Sequence, residues 1–224
     1  MAMRYRYYFA EALVLTILVF IGGFLVGLGI ENNRNARLAD SYISTESEII
    51  DLGAQLDISN LGRYTCSELV NRNSDIGDQI YRQALIFEQY ETSAIFTKSQ
   101  LVKEHRKFDA LRTLFWINSI KIKERCGNNV LDTVIYLYNY PTEDISEIAK
   151  QKVMARITQE IKSNSEKNII LIPIAKNLNI SSLNTLTSNY PNMNESVLLI
   201  VNEKETFLPE QTEQIRNYFG LIFE

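Results

Sequence analysis

The stretch Leu131–Tyr138 (LDTVIYLY) decides the fold class. It is rich in β-branched and aromatic residues, without proline or glycine, and reads as a buried strand. Beyond it, Glu143–Ser163 repeats apolar residues at helical spacing, and Ile145, Ile148, Ala149, Val153, Ile157 and Ile161 are expected inside. Thr142 is the expected N-cap, with Glu143 and Asp144 favouring the first turn. Asn168–Ala175 (NIILIPIA) reads as a second strand. Ser181–Tyr190 reads as a short helix capped by Ser181 or Ser182. Val197–Val201 (VLLIV) is a third strand and Thr206–Leu208 a fourth. Pro209 suits the first turn of a last helix that ends near Phe219.

Two strands joined by a full helix should lie parallel through a right-handed crossover. The last two strands are close enough for a hairpin around Asn202–Glu205. Strands that are apolar throughout need helices on both faces. The expected class is therefore α/β with a mixed central sheet.

Before residue 130 the pattern is helical. From Lys98 onward, Leu101, Phe108, Leu111, Phe115 and Ile122 form a stripe, closed by Gly127-Asn128-Asn129 with Lys121, Lys123 and Arg125 in the final turn. An earlier helix aligns Cys66, Leu69, Asn73, Ile76, Ile80, Ala84 and Phe87. Ahead of Asn60-Leu61-Gly62, the residues Leu38, Tyr42, Thr45, Ile49, Leu52 and Leu56 recur at steps of three and four. Residues 34–129 thus read as a helical stalk and hairpin preceding a domain over 130–224. Such stripes are ordinarily internal seams.

At the start, Ala12–Ile30 (ALVLTILVFIGGFLVGLGI) carries no charge. It has about the length that crosses a bilayer as a helix. It is longer than a signal-peptide core and lacks a small-x-small end, so residues 1–33 read as an uncleaved anchor. Glu11 raises a pilin-like stem, but Arg6 stands where that family has a small residue. Arg4 and Arg6 precede the run, and Arg34 and Arg37 follow it. The expectation is a single-pass cell-membrane protein, N-terminus cytoplasmic and body outside. Gly23 and Gly27 form a GxxxG, which lets membrane helices approach closely.

A net charge of −4 and a pI near 5.3 argue against non-specific nucleic-acid binding. The two cysteines, Cys66 and Cys126, would pair in an oxidising compartment; two separate buried thiols are the other reading. His105, the single histidine, sits in Lys103-Glu104-His105-Arg106-Lys107 and reads as part of a solvated turn. One histidine and two separated cysteines fall short of the usual zinc ligand set, so no metal is expected. No GxSxG, HExxH or Walker A sequence occurs, and no cofactor is expected. Asn179-Ile180-Ser181 and Asn194-Glu195-Ser196 are acceptor sequons, usable only outside the cytoplasm. Tyr136, Tyr138 and Tyr140 alternate onto one face, which suits core packing with hydroxyls at the rim.

The order of elements over Val130–Phe219 resembles the thioredoxin fold. The whole chain resembles a prokaryotic (archaeal) group of membrane-anchored proteins in which an anchor and helical hairpin precede a thioredoxin-like domain. Cys66-Ser67-Glu68-Leu69, Phe87–Glu91, Leu114-Phe115-Trp116 ahead of Lys123-Glu124-Arg125-Cys126, Val134–Tyr138 and Ile172–Ala175 carry the likeness. Active thioredoxin-like proteins have a CxxC at the start of the first helix and a cis-proline before the third strand. Here Ile145 and Ile148 stand at the cysteine positions, and the proline place falls near Ser196. The resemblance therefore implies a scaffold without its redox centre. It implies a non-catalytic protein- or peptide-binding module, or a subunit of an envelope assembly. The bilayer and another protein, or a second copy, are the expected partners. A groove between Tyr140, Pro141, Thr142 and Asn194, Glu195, Ser196 is the expected binding place. Two other functions fit the same sequence: a thiol-disulfide oxidoreductase using Cys66 and Cys126, or a structural stalk oligomerising through Gly23, Gly27 and the Leu38–Leu56 seam.

Overall fold

The computed structural model describes residues 2–59, 65–91, 97–164 and 168–220. It divides into two units, Met1–Ser44 and Thr45–Glu224. The helix α1 (Ala2–Ser59) begins in the first unit, where it contains the segment Glu11–Ile30, which is long and apolar enough to cross a membrane, with a mean hydropathy of 2.7. Its side chains are exposed, and open space lies beside Gly23 and Gly27. The side chains of Arg4, Arg6, Arg34, Arg37, Leu38, Tyr42 and Phe87 lie outside the described set, as do residues 60–62.

The second unit is built on a sheet of β1 (Asp132–Tyr138), β2 (Ile169–Ala175), β3 (Val197–Val201) and β4 (Glu205–Phe207). Their order is β2-β1-β3-β4. β1 and β2 are parallel, linked by α4 (Ile145–Asn164), while β3 runs antiparallel to β1 and β4 antiparallel to β3. The β3–β4 turn places Asn202 and Glu203 in the left-handed region, with φ of 52° and 58°. Consecutive left-handed residues match the twist of a tight hairpin, and Lys204 N–H donates to Val201 C=O across it.

Side chains alternate between the two faces, as strand geometry requires. Val134, Tyr136, Ile169, Leu171, Val197, Leu199 and Val201 meet Met154, Ile157 and Ile161 of α4 and Ile215 of α6 (Thr212–Tyr218). Ile135, Leu137, Ile170, Ile172, Leu198 and Ile200 face the other way. They meet α2 (Cys66–Glu91), α3 (Lys98–Cys126), α5 (Ser181–Thr187) and the end of α1 through residues such as Leu52, Ile76, Phe115 and Leu183. From Thr45 onward the helical stretch therefore shares the sheet's core, and residue 130 marks a change of element type without a change of unit. Thr45, Ile49, Leu52 and Leu56 are buried inside the chain, so this part of the seam is already occupied. Gly77 lets α2 approach β2: a Cβ there would sit 3.2 Å from Ile170 Cγ2.

Two expectations about α4 change. Ile145 is 84% exposed, and Ala149 and Val153 are exposed as well, while Met154 takes the inward place. The helix carries two apolar stripes, and the sheet takes the one through Met154, Ile157 and Ile161. The cap is Asp144, not Thr142. Asp144 Oδ1 accepts the N–H groups of Ser146 and Glu147, whereas Thr142 Oγ1 donates to Glu147 Oε2. At α5, Ile180 holds the N-cap position and no side chain caps the helix, so neither Ser181 nor Ser182 acts as expected.

α3 begins with a capping box between Thr97 and Gln100 and closes at Gly127. Polar side chains fix it at both ends of the sheet. Asp109 Oδ2 accepts the N–H of Ala175 at the end of β2, 3.0 Å away. Lys123 Nζ donates to Thr133 Oγ1 near the start of β1, and to Asn202 Oδ1 and Glu203 Oε2 at the hairpin turn. Thr133 Oγ1 and Trp116 Nε1 both donate to Glu203 Oε1, completing a partly buried network. α3 therefore runs opposite to β1. Its last residue, Cys126, is bonded to Cys66 at the first residue of α2. The disulfide ties the hairpin to itself.

Opening that bond by Cys126→Ser should cost about 4 kcal/mol for a loop of this length in the chain-entropy model. Guanidinium unfolding with and without reductant measures it, and an unchanged midpoint would remove the clamp from the account. Lys123→Met should cost roughly 3 kcal/mol, because it strands the Glu203 carboxylate beside Trp116 and Thr133. Lys123→Met combined with Glu203→Gln should recover part of that loss, which a double-mutant cycle in urea reads directly.

Candidate functional site

Tyr138 at the end of β1 lies opposite Ala175 on one side and Val197 on the other. The segments 139–142, 176–179 and 193–196 consequently leave the sheet at the same end. The carboxyl ends of parallel strands are where open α/β sheets place their sites. Residues 140–142 and 194–196 belong to these segments.

Lys176 ties these segments together. Its N–H donates to Tyr138 C=O, and its Nζ donates to Met193 C=O at 2.7 Å and to Glu195 C=O. Partial burial pulls the Lys176 ammonium below its ordinary pKa, against the opposing pull of Glu195 and Glu147. The opposite segment is anchored to α4. Gln151 Nε2 donates to Asn139 C=O, and Thr142 reaches Glu147. Tyr140 N–H donates to Asn177 Oδ1, and the Tyr140–Pro141 peptide is cis. It is the only cis bond among the described residues, so the bond preceding Ser196 is trans. Pro141, Asn194 and Glu195 are exposed, and Thr142 and Ser196 are half-buried. Ile145, at the start of α4, is exposed and Ile148 half-buried.

His105 corrects the solvated reading of its turn. It is 4% exposed, and its ring stacks on Tyr140 with centroids 3.5 Å apart. Its position follows from the stripe of α3. Leu101, His105, Phe108, Arg112, Phe115, Ser119 and Ile122 continue one alternation of three and four, and all are buried. The charged neighbours Lys103, Glu104, Arg106 and Lys107 concealed a residue that the periodicity itself put inside. One turn further, Asp109 is fully buried and bonded to Arg112 Nη1 at 2.8 Å, while the Arg112 guanidinium lies 3.9 Å from the centre of the Phe108 ring. Burial pushes the Asp109 carboxyl up, against the pull of Arg112, of His105 and of the Ala175 N–H.

The chemistry of this end is polar and positioning. A carboxylate and an ammonium bind backbone groups, an imidazole supports a tyrosine ring, and no thiol is near. The disulfide lies beyond Lys123, at the opposite end of the sheet, separated from His105 by about 30 Å of helix. Among the described residues no three His, Cys, Asp or Glu side chains gather where a metal ion could sit. No protein-family model, curated protein or solved structure matches the chain.

Asp109 has a pH signature. Because its folded-state pKa is raised, the folded chain gives up the Asp109 proton at a higher pH than the unfolded chain does. That contribution is complete below the ordinary carboxylate value and is lost as pH climbs through the folded value. Asp109→Asn cannot ionise, so its stability relative to the natural chain should improve as pH rises above about 4. Urea midpoints of both proteins across the acid range test this, and parallel curves would contradict it.

Proposed function

We propose that this chain is a single-pass membrane protein whose body is a thioredoxin-like domain lacking a redox centre. It serves as a non-catalytic protein- or peptide-binding module, or as a subunit of an envelope assembly. The observation that carries this reading is the separation of the chain's two sulfurs from the strand-end site. Ile145 and Ile148 occupy the place of a dithiol, and Cys66 and Cys126 are bonded at the opposite end of the sheet.

The thioredoxin-like assignment is supported by the strand order β2-β1-β3-β4, by the parallel β1–β2 pair with its helical crossover, and by helices on both faces. The anchor is supported by Glu11–Ile30. An extracytoplasmic body accords with a disulfide, which reducing compartments disfavour. The binding place is the rim formed by Tyr140, Pro141 and Thr142 facing Asn194, Glu195 and Ser196. Lys176 and His105 hold the two segments in fixed positions, which lowers the ordering cost of binding.

A photoreactive residue at Pro141 or Asn194 of the full chain, in its native membrane, should capture one discrete polypeptide. Labelling by solvent alone at both positions would end the binding reading. Carbonate-washed membranes should retain the chain, and insulin reduction should show no turnover. Turnover that disappears in Cys126→Ser would establish the oxidoreductase instead.

A further inference from the structure

The outward face of α4 carries an apolar ridge that the fold leaves uncovered. Ile145, Ala149 and Val153 are spaced four residues apart and all are exposed. Residues at this spacing form one of the ridges by which helices pack. The charges along the ridge are segregated. Glu143 and Asp144 lie at its first end, and Lys152 and Arg156 lie alongside its second half; all four are exposed. No ion pair to Lys152 or Arg156 occurs among the described residues. Glu143 is bonded to Lys98, but that pair is fully exposed and contributes little.

We propose that this ridge docks a second copy of the same chain, α4 against α4 in antiparallel register about a two-fold axis at Ala149. The pattern is complementary to itself. Inverting it about position 149 brings Ile145 opposite Val153 of the other copy, and brings the acidic end against the basic half. An interface of this symmetry uses the same patch on both copies, so every favourable pair occurs twice. Ala149, the small residue at the centre, lets the two helices approach closely at their crossing point. An unrelated partner would need only one of these features; the combination of a central small residue, flanking aliphatic residues and opposed charges fits a copy of itself.

One helix face is smaller than the roughly 1,200–2,000 Å² of a stable interface. The contact is therefore weak in dilute solution and is strengthened where chains are concentrated. If the chain is membrane-anchored, the bilayer supplies that concentration; to this extent the inference rests on the anchor reading.

The test uses the full chain in liposomes with the natural disulfide intact. Ala149→Cys should give a disulfide-linked dimer on mild oxidation. Gln159→Cys, about 15 Å along the helix from the axis, should not, because its two copies would stand about 30 Å apart. Ile145→Asp, introduced into Ala149→Cys, should weaken association roughly tenfold, since symmetry removes the contact twice. Lys152→Glu with Arg156→Glu in the same background should also lower the dimer yield. Circular dichroism and the retained Cys66–Cys126 bond establish that each variant is folded. Absence of a dimer from Ala149→Cys overturns the proposal, whether or not the chain sediments with the liposomes. Equal linking at residues 149 and 159 overturns it too, since that signifies collision. If the thiol introduced by Ala149→Cys is protected from a water-soluble maleimide without forming a dimer, the ridge belongs to another partner or to lipid. Sedimentation with the liposomes, scored separately, reports on the anchor.

Discussion

A small sheet that is apolar on both faces cannot stand alone in water. Ile135, Leu137, Ile170 and Ile172 point one way, and Val134, Tyr136, Ile169 and Leu171 point the other. Both sets must be covered, since each buried aliphatic side chain contributes about 1.5–3 kcal/mol. One cover is α4, which connects β1 to β2, with α6, which follows the last strand. The other is completed by α2, α3 and the end of α1, which precede the sheet in the chain. The helical hairpin is therefore half of the sheet's packing. Gly77 shows how closely it is fitted, since even a methyl group there would press on Ile170.

The polar groups of α3 place this cover in register. Hydrophobic contact is not directional, whereas hydrogen bonds are. Asp109 binds the Ala175 N–H at one end, and Lys123 binds Thr133, Asn202 and Glu203 at the other. Ala175 lies on the outer, otherwise unpaired edge of β2. Lys162 binds Ile169 C=O on the same edge, and Pro173 between them has no N–H to offer. The edge is thereby blunted against pairing with another strand. That directs attention from the sheet edge to the strand ends and to the outer surface of α4.

At the strand ends the arrangement is a positioning device. Lys176 draws the 193–195 segment to the end of β2, and His105 supports the ring of Tyr140 across from it. No sulfur participates. The disulfide does the same kind of mechanical work at the opposite end, closing the α2–α3 hairpin.

The sequence by itself determined the strands, the parallel first pair, the terminal hairpin and the apolar Ala12–Ile30 run. These follow from periodicity and from connection length, which are local properties. It also contained the burial of His105, since positions 101, 105, 108, 112 and 115 share one stripe, but the surrounding charges outweighed that pattern. Tertiary structure alone decided which of α4's two apolar stripes faces the sheet, because both have helical spacing and only the neighbouring surface distinguishes them. It likewise decided the capping roles. Thr142 and Asp144 are both competent caps by chemistry, and the geometry of chain entry selected Asp144 at α4, while at α5 it left the cap position to Ile180 and used neither Ser181 nor Ser182. Lys176 became a clasp for the same reason: its partners are backbone carbonyls, which no side-chain pattern reveals until the fold brings them within reach.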